Sequence, residues 1–269
     1  MLVSSIMSRD PLVVAPDCSP ADAYEVMSRE DIRHLPVVAD GAVLGVLSDR
    51  DLLEALGSRP DDTPPETPGS VDELMSRELA SLSPEDTVVT ATVAFLVHRI
   101  GCLPVLDGQT LVGIVTEMDM LQAFTELVRG GRVAAGGGSV DELMATALHV
   151  IAPSTALADA WHLMSEQHVR HLPVVDDGQP VGLVSDRDLR RALGDGATDE
   201  TPVSSVMAGE MLEIVAGSPL GEAAFLMTLS KVSALPVLDD GKLVGLLTLT
   251  DLLENCLESL REPEAGSAS

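Results

Sequence analysis

Aromatic side chains are scarce in this sequence, with only 2% of the residues being Phe, Trp or Tyr. Any core or pocket must therefore be built from aliphatic side chains, and a ligand base would lie between these rather than stack on rings. Basic residues are also few, with 16 Lys and Arg against 43 Asp and Glu. The net charge of -27 disfavours binding to nucleic acid or an anionic membrane. A small anion can bind only where local donors overcome this field.

The sequence has three cysteines, Cys18, Cys102 and Cys256, at unrelated spacings that fit neither a disulfide framework nor a metal site. It has no apolar run long enough to span a membrane and no signal peptide pattern at its start. We therefore expect reduced thiols and a cytoplasmic protein. The length of 269 residues, 45% of them hydrophobic, suffices for about two globular domains.

What the sequence does contain is a fourfold repeat. The pattern Gly-x-x-Ser/Thr-x-x-Asp begins at Gly45, Gly113, Gly182 and Gly245. A Leu-Pro-Val precedes each copy, with its Pro nine residues before the Gly, and a Met stands 29 residues before each Pro. These methionines are Met7, Met75, Met144 and Met207. Because both spacings are identical in all four copies, the chain is a repeat protein.

Each repeat predicts the element order β-α-β-β-α. In repeat one, residues 12–15 predict a strand, and Ser19-Pro20 marks the start of a helix. Two more strands flank the turn Asp40-Gly41, and a second helix follows Ser48. The equivalent first helices start near Thr87, Thr155 and Ser218-Pro219. A three-stranded sheet with two helices on one face leaves the other face apolar, so each repeat needs a partner.

The copies differ in a way that predicts which repeats pair. Repeats one and three share Arg-His-Leu-Pro-Val-Val and Ser-Asp-Arg-Asp, whereas repeats two and four share Leu-Pro-Val-Leu and a Thr. This alternation predicts that a two-repeat unit was doubled, so that one pairs with two and three with four. We expect a first pair at 1–130 (repeats 1–57 and 70–128), a Gly-rich linker at 131–139, a second pair at 140–262 (repeats 140–194 and 203–261) and a flexible tail at 263–269.

The Met, Leu-Pro-Val and Gly-x-x-Ser/Thr-x-x-Asp landmarks resemble those of the CBS domain family over nearly the whole chain. The resemblance implies an α/β fold in which repeats pack sheet to sheet as two pairs, in a flat, disc-like assembly. It implies a non-enzymatic regulatory role, with adenine nucleotides (AMP, ADP or ATP, with or without Mg²⁺) or S-adenosylmethionine bound in clefts between repeats. The partner would be an effector protein that the sequence does not name, and a homodimer is left open.

The motif has a physical basis for binding a nucleotide. A helix N-terminus attracts phosphate, and a carboxylate one turn later can accept two hydrogen bonds from a ribose diol. By resemblance, the aspartates hold ribose and the hydroxyls lie near ribose or phosphate. These residues are Asp51, Asp119, Asp188 and Asp251, with Ser48, Thr116, Ser185 and Thr248. The alternative is an ordinary helix cap, with Ser or Thr as cap and Asp favoured by the helix dipole.

Cations for the phosphates occur only in the odd repeats. By resemblance these are Arg50 and Arg187 in the motif, with Arg33, His34, Arg170 and His171 before Leu-Pro. The alternative is surface charge that balances Asp49 and Asp186. The adenine wall would be Val232, Ser233, Ala234 and Pro236 in repeat four. In repeat two, Glu117 puts an extra carboxylate near the phosphate position, which is unfavourable.

Other functions fit the sequence less well. His162, His168 and His171 lack the spacing and the accompanying carboxylate of a metal site, so no metal is expected. A hydrolase would need a nucleophile elbow and an oxyanion hole, and neither pattern is present. A ligand-free interaction scaffold, in which the motif is purely structural, stays open as the main alternative.

Overall fold

The computed structural model describes residues 1–56, 69–129, 138–207 and 211–261. Outside these described residues lie the Pro-rich segment 57–68 between repeats one and two, most of the linker predicted at 131–139, and the tail predicted at 263–269.

The order helix, strand, strand, helix recurs in each repeat, and only the short element before it differs. Repeat one contains β1 (Ser8–Arg9), α1 (Pro20–Glu30), β2 (His34–Ala39), β3 (Ala42–Ser48) and α2 (Asp49–Leu56). Repeat two contains α3 (Val88–His98), β4 (Cys102–Asp107), β5 (Thr110–Thr116) and α4 (Glu117–Arg129). Repeat three contains α5 (Val140–Leu143), α6 (Leu157–Gln167), β6 (His171–Asp176), β7 (Gln179–Ser185) and α7 (Asp186–Gly194). Repeat four contains β8 (Ile214–Val215), α8 (Leu220–Ser230), β9 (Ala234–Asp239), β10 (Lys242–Thr248) and α9 (Leu249–Arg261).

The hairpin at the centre of each repeat forms where the turn residues predict it. In repeat one, β2 and β3 are antiparallel, with His34 opposite Ser48. Asp40 and Gly41 between them have φ angles of 52° and 80°. A two-residue turn between twisted strands requires positive φ at both positions, which Asp and Gly tolerate best.

The predicted first strand is reduced to a single bridge in three of the repeats. In repeat one, Val14 forms an isolated parallel bridge with Val37. Pro16, two residues after Val14, has no N–H to extend the ladder, and Pro84 and Pro153 occupy the same place in repeats two and three. Repeat four has Ala216 there, whose N–H donates to the Leu238 carbonyl at 2.8 Å. Among the described residues, the predicted first strand therefore forms as a two-residue strand, β8, in this repeat and as a single bridge in the other three.

The first helices begin close to their predicted positions. Ser19 caps α1 by accepting a hydrogen bond from the Asp22 N–H at 3.1 Å, and Pro20 is the first helical residue. In repeat three the helix begins two residues after the predicted Thr155, because the Thr155 hydroxyl instead accepts from the Ala152 N–H at 3.1 Å. In repeat four the helix begins after Pro219.

The segment around each Met landmark crosses to the other repeat of its pair. Ser8 lies opposite Ile114 in repeat two, and Ser76 bridges to Val46 in repeat one. This crossing brings Met75 onto Gly45, where an added Cβ would lie 2.5 Å from the Met75 sulfur. The same contact joins Met7 with Gly113, Met207 with Gly182, and Met144 with Gly245. These contacts join repeat one to repeat two and repeat three to repeat four, and they explain the fixed Met–Gly spacing.

The two pairs contact each other through both even and odd repeats, but the two contacts differ in kind. In the even repeats, α3 packs on α9 and α4 packs on α8, and their buried side chains belong to one continuous apolar core. In the odd repeats, α2 packs on α7, yet the buried residues of repeats one and three form two separate clusters. Charged side chains span this second contact. The disc-like outline stays a prediction.

Candidate functional site

Each motif aspartate lies in the first turn of a helix and closes a hydrogen-bonded cap. In repeat three, the Asp188 Oδ2 accepts from the Ser185 hydroxyl at 2.6 Å and from the Ser185 N–H at 2.8 Å. The Asp188 N–H donates back to the Ser185 hydroxyl at 3.3 Å. The same arrangement occurs at Ser48–Asp51, Thr116–Asp119 and Thr248–Asp251, with hydroxyl–carboxylate distances of 2.6 to 2.7 Å.

This cap explains locally why Ser or Thr stands three residues before Asp, since each side chain satisfies a backbone N–H at the helix start. The bonds that each carboxylate accepts from the Ser or Thr N–H and hydroxyl all end on Oδ2 of the aspartate. A diol would therefore have to bind through Oδ1, with Oδ2 as a shared acceptor.

A crevice lies beside Asp188. Its volume is about 430 Å³, within the range of small-molecule sites. One wall is α7 and its C-cap, with Asp188, Arg191, Ala192 and a second carboxylate from Asp195, and the other is the segment that enters repeat four, with Thr201 and Ser205. Both polar and aliphatic groups thus face one space between α7 and the segment that leads into repeat four. Arg191, Thr201 and Ser205 were not predicted as site residues, because their approach depends on the crossing segment.

The motif arginines of the odd repeats pair across the two pairs rather than within their own turns. Arg50 donates to the Asp186 carboxylate, and the Arg187 Nη2 donates to the Asp49 Oδ2 at 2.6 Å. The partners are the two aspartates that the sequence suggested as balancing charges, but each is the one from the opposite repeat.

The residues that precede Leu-Pro in the odd repeats lie next to the helix starts. The carbonyls of Arg33 and Arg170 accept from the N–H groups of Asp49 and Asp186, each at 2.9 Å. Burial lowers the pKa of the Arg33 guanidinium, and the nearby positive charge of Arg187 acts in the same direction.

Both histidines at this position face the other repeat of their pair. The His171 Nε2 lies 3.1 Å from the Ser233 hydroxyl, and a Cβ on Gly101 would lie 2.7 Å from the His34 Nε2. Burial lowers the pKa of His34 to about 4 and also lowers the pKa of His171. At neutral pH these imidazoles are therefore uncharged and can meet a phosphate as hydrogen-bond donors but not as cations.

The Glu117 and Asp119 carboxyls of repeat two have raised pKa values, in contrast to the lowered pKa values of the two histidines. Burial raises the pKa of Glu117, while the positive charges of Arg170, Arg33 and Arg50 oppose this rise. Burial also raises the pKa of Asp119, and the two hydrogen bonds from Thr116 oppose the rise. The extra carboxylate of repeat two thus lies within the field of the arginines predicted to hold phosphate.

The predicted adenine wall is formed by β9 and the residues before it. Ala234 and Pro236 are buried, and Val232 packs against the core at half-buried exposure. The Ser233 hydroxyl faces His171, as described above. These residues lie at the contact between repeats three and four.

The three histidines considered for a metal are dispersed. His162 pairs with Glu166 on the exposed face of α6, at 3.2 Å, and His168 ends that helix in a left-handed conformation. Within the described residues there is no group of three or more His, Cys, Asp or Glu side chains that could hold a metal ion. In the same residues, every helix is too short or too polar to cross a bilayer.

Comparison with known proteins places these features in a family. A family model for the CBS domain matches the chain four times, at residues 3–58, 71–126, 140–195 and 203–258. The CBS domain-containing protein YhcV of Bacillus subtilis is 35% identical over 134 residues, which are 48% of this chain and 91% of the relative. Protein MJ1225 of Methanocaldococcus jannaschii is 24% identical over 279 residues, covering 90% of this chain and 94% of the relative.

Solved structures share the fold. The crystal structure of MJ1225 has a TM-score of 0.78 at 22% identity, covering 94% of this chain and 99% of that chain. A protein from Pyrococcus horikoshii has a TM-score of 0.67 at 22% identity, covering 95% of this chain and 100% of that chain. Since the family model matches all four repeats and so most of the sequence, the chain belongs to the CBS domain family.

Proposed function

We propose that the chain is a non-enzymatic regulatory module that binds an adenine nucleotide, or a related adenosyl compound, in clefts between paired repeats. The observation that carries this proposal is the crevice beside Asp188, which combines a carboxylate with polar and aliphatic walls. Binding would join two repeats through one ligand and shift the population of their arrangements. A separate effector protein would respond to that shift.

The cytoplasm is the compartment we propose for this module. Cys102 and Cys256 are buried, and burial raises the pKa of each thiol to about 12. Both cysteines are free thiols, and Cys256 lies in the apolar core of the even repeats. Such thiols persist in a reducing compartment.

A ligand-free scaffold is the second candidate, and one observation favours it. The hydrogen-bonded cap gives every motif Ser/Thr and Asp a structural role without any ligand. If capping were their whole role, the repeats would serve only to present a surface to another protein.

Calorimetric titration with AMP separates the two candidates. Asp188→Asn keeps an oxygen for the helix cap but removes the charge that a ribose diol would meet. We expect AMP affinity to fall about tenfold to a hundredfold, the effect of losing hydrogen bonds to a charged group. Asp177→Asn, in the exposed hairpin turn before β7, is the matched control and should leave the affinity unchanged.

The titration also has an outcome that favours the scaffold. If AMP, ADP, ATP and S-adenosylmethionine at millimolar concentration produce neither heat nor a change in melting temperature, the proposed function is wrong. Equal loss of affinity in Asp188→Asn and Asp177→Asn would contradict the role assigned to Asp188.

A further inference from the structure

Two ion pairs join the motif turns of repeats one and three in a reciprocal way. Arg50 of the first pair contacts Asp186 of the second, and Arg187 of the second contacts Asp49 of the first, the latter at 2.6 Å. The two arginine side chains are 43% and 46% exposed, whereas the aspartates are only 19% and 20% exposed. Each arginine thus reaches from the surface to a largely covered carboxylate of the other pair.

The contact between the even repeats has the opposite chemistry. Phe124 and Leu127 of α4 are buried in the same apolar core as Ala223 and Met227 of α8. Burial of apolar surface does not depend on simple charge screening, and each large side chain such as Phe124 or Met227 stabilises by about 1.5–3 kcal/mol when fully buried. An ion pair with a half-exposed arginine contributes only about 0–1 kcal/mol and weakens with salt. Leu53 of α2 also meets Gly194 of α7, but it belongs neither to the even-repeat core nor to the clusters of repeats one and three, so we expect the odd side of the assembly to open more readily than the even side.

We propose that the Arg50–Asp186 and Arg187–Asp49 ion pairs form a latch between repeats one and three, which an anionic ligand releases while the even-repeat core acts as the hinge. The inference rests on the proposed function, because it takes the ligand's phosphate to compete with the aspartates for the arginines. This competition makes ligand binding at the motif turn of repeat one depend on the state of the motif turn of repeat three, and the reverse. An anion that draws Arg50 away from Asp186 also loosens the contact through which Arg187 is held by Asp49.

Hydrogen exchange of the full chain without ligand tests the latch itself. The double variant Asp49→Asn/Asp186→Asn should speed exchange of α2 and α7 amides by about twofold to fivefold per lost pair at roughly 50 mM NaCl. Exchange in α4 and α9 should not change. The difference between variant and wild type should disappear at roughly 500 mM NaCl, where the ion pairs are screened.

Two further variants complete the exchange experiment. Asp107→Asn/Asp239→Asn also removes two negative charges, but from exposed positions in the even repeats. It should leave the exchange rates of the α2 and α7 amides unchanged. Arg50→Asp/Asp186→Arg exchanges the charges of one pair and should restore slow exchange. If α2 and α7 exchange at the wild-type rate in Asp49→Asn/Asp186→Asn, or equally fast in both Asn variants, the latch is overturned.

Titration with AMP and with adenosine tests release by the anion. Removing Asp186 frees Arg50, so Asp186→Asn should bind AMP about twofold to fivefold more tightly and adenosine equally well. Weaker AMP binding in this variant would overturn the inference, because Asp186 would then position the arginine rather than compete for it. A wild-type protein that binds no adenosyl ligand refutes the proposed function and the release by anion, whereas the ligand-free exchange result stands separately.

Discussion

At the scale of single residues, His34 shows how strongly the fold changes a side chain that looks basic in the sequence. It is half-buried beside Gly101 of the neighbouring repeat, and burial lowers its pKa from 6.5 to about 4. The negative charge of Asp49 acts against this shift but does not reverse it. The folded chain therefore holds the imidazole neutral over a pH range in which the unfolded chain protonates it.

This difference predicts a pH dependence of stability. Because the folded pKa is the lower one, stability from His34 is fully present above pH 6.5 and is lost as the pH falls toward 4. Between pH 7 and pH 5 the wild type should lose about 2 kcal/mol more unfolding free energy than His34→Gln. Urea denaturation at the two pH values measures this. The exposed His162→Gln is the control, and a His34→Gln protein with the wild-type pH slope would contradict the account.

Contacts within the motif could be predicted from the sequence, but contacts across the assembly could not. The Ser185–Asp188 cap joins residues three apart, so local helix chemistry is enough to foresee it. The Arg50–Asp186 pair joins residues 136 positions apart, and nothing in the sequence distinguishes Asp186 from Asp49 as the partner. Only the packing of α2 on α7 decides between them.

At the scale of elements, the crossing segments make each repeat depend on its neighbour. Val3 is fully buried in the core that also contains Phe95 and Leu121 of repeat two. Its N–H donates to the Asp86 carbonyl at 2.8 Å. The first residues of the chain thus complete the second repeat rather than the first.

A substitution at Val3 should therefore act on repeat two. We expect Val3→Ala to lower the unfolding free energy by about 1–3 kcal/mol, since it removes buried methyl groups and leaves a cavity. Hydrogen exchange should then become faster in α3 and β5 before it changes in α1 and β2. Val13→Ala, at a 47% exposed position, is the control. Faster exchange confined to repeat one would be incompatible with the crossing.

The element order was predictable because Asp-Gly turns, helix caps and apolar runs are local signals. The crossing of the Met segment to the paired repeat could not be predicted. The spacing between Met and Gly is the same whether the two residues meet within one repeat or between two repeats. The reduction of the first strand to a single bridge follows from Pro16, which has no N–H to extend the ladder. The apolar run at 12–15 nevertheless predicted a full strand.

At the scale of the whole molecule, the shared core of the even repeats should make the two pairs unfold together. Phe124 of the first pair is 4% exposed and lies in the same core as Leu252 and Cys256 of the second. Because the core crosses the boundary between the pairs, unfolding of one pair exposes core side chains of the other and destabilises it.

Phe124→Ala tests this cooperativity. It should cost about 3–5 kcal/mol and lower the melting temperature of both pairs in a single calorimetric transition. Leu229→Ala on α8, at a 67% exposed position, should leave the transition unchanged. Two separate transitions, of which Phe124→Ala moves only one, would show that the pairs unfold independently.

We propose above that a nucleotide binds between paired repeats at the motif aspartate. Hydrogen exchange of the whole chain with and without saturating AMP tests it most directly. We expect bound AMP to slow exchange on both walls of the crevice, in α7 from Asp186 and in the segment around Thr201 and Ser205, and to leave the exposed turn at Asp177 unchanged. Protection that appears away from every motif helix, or no protection at all, would contradict it.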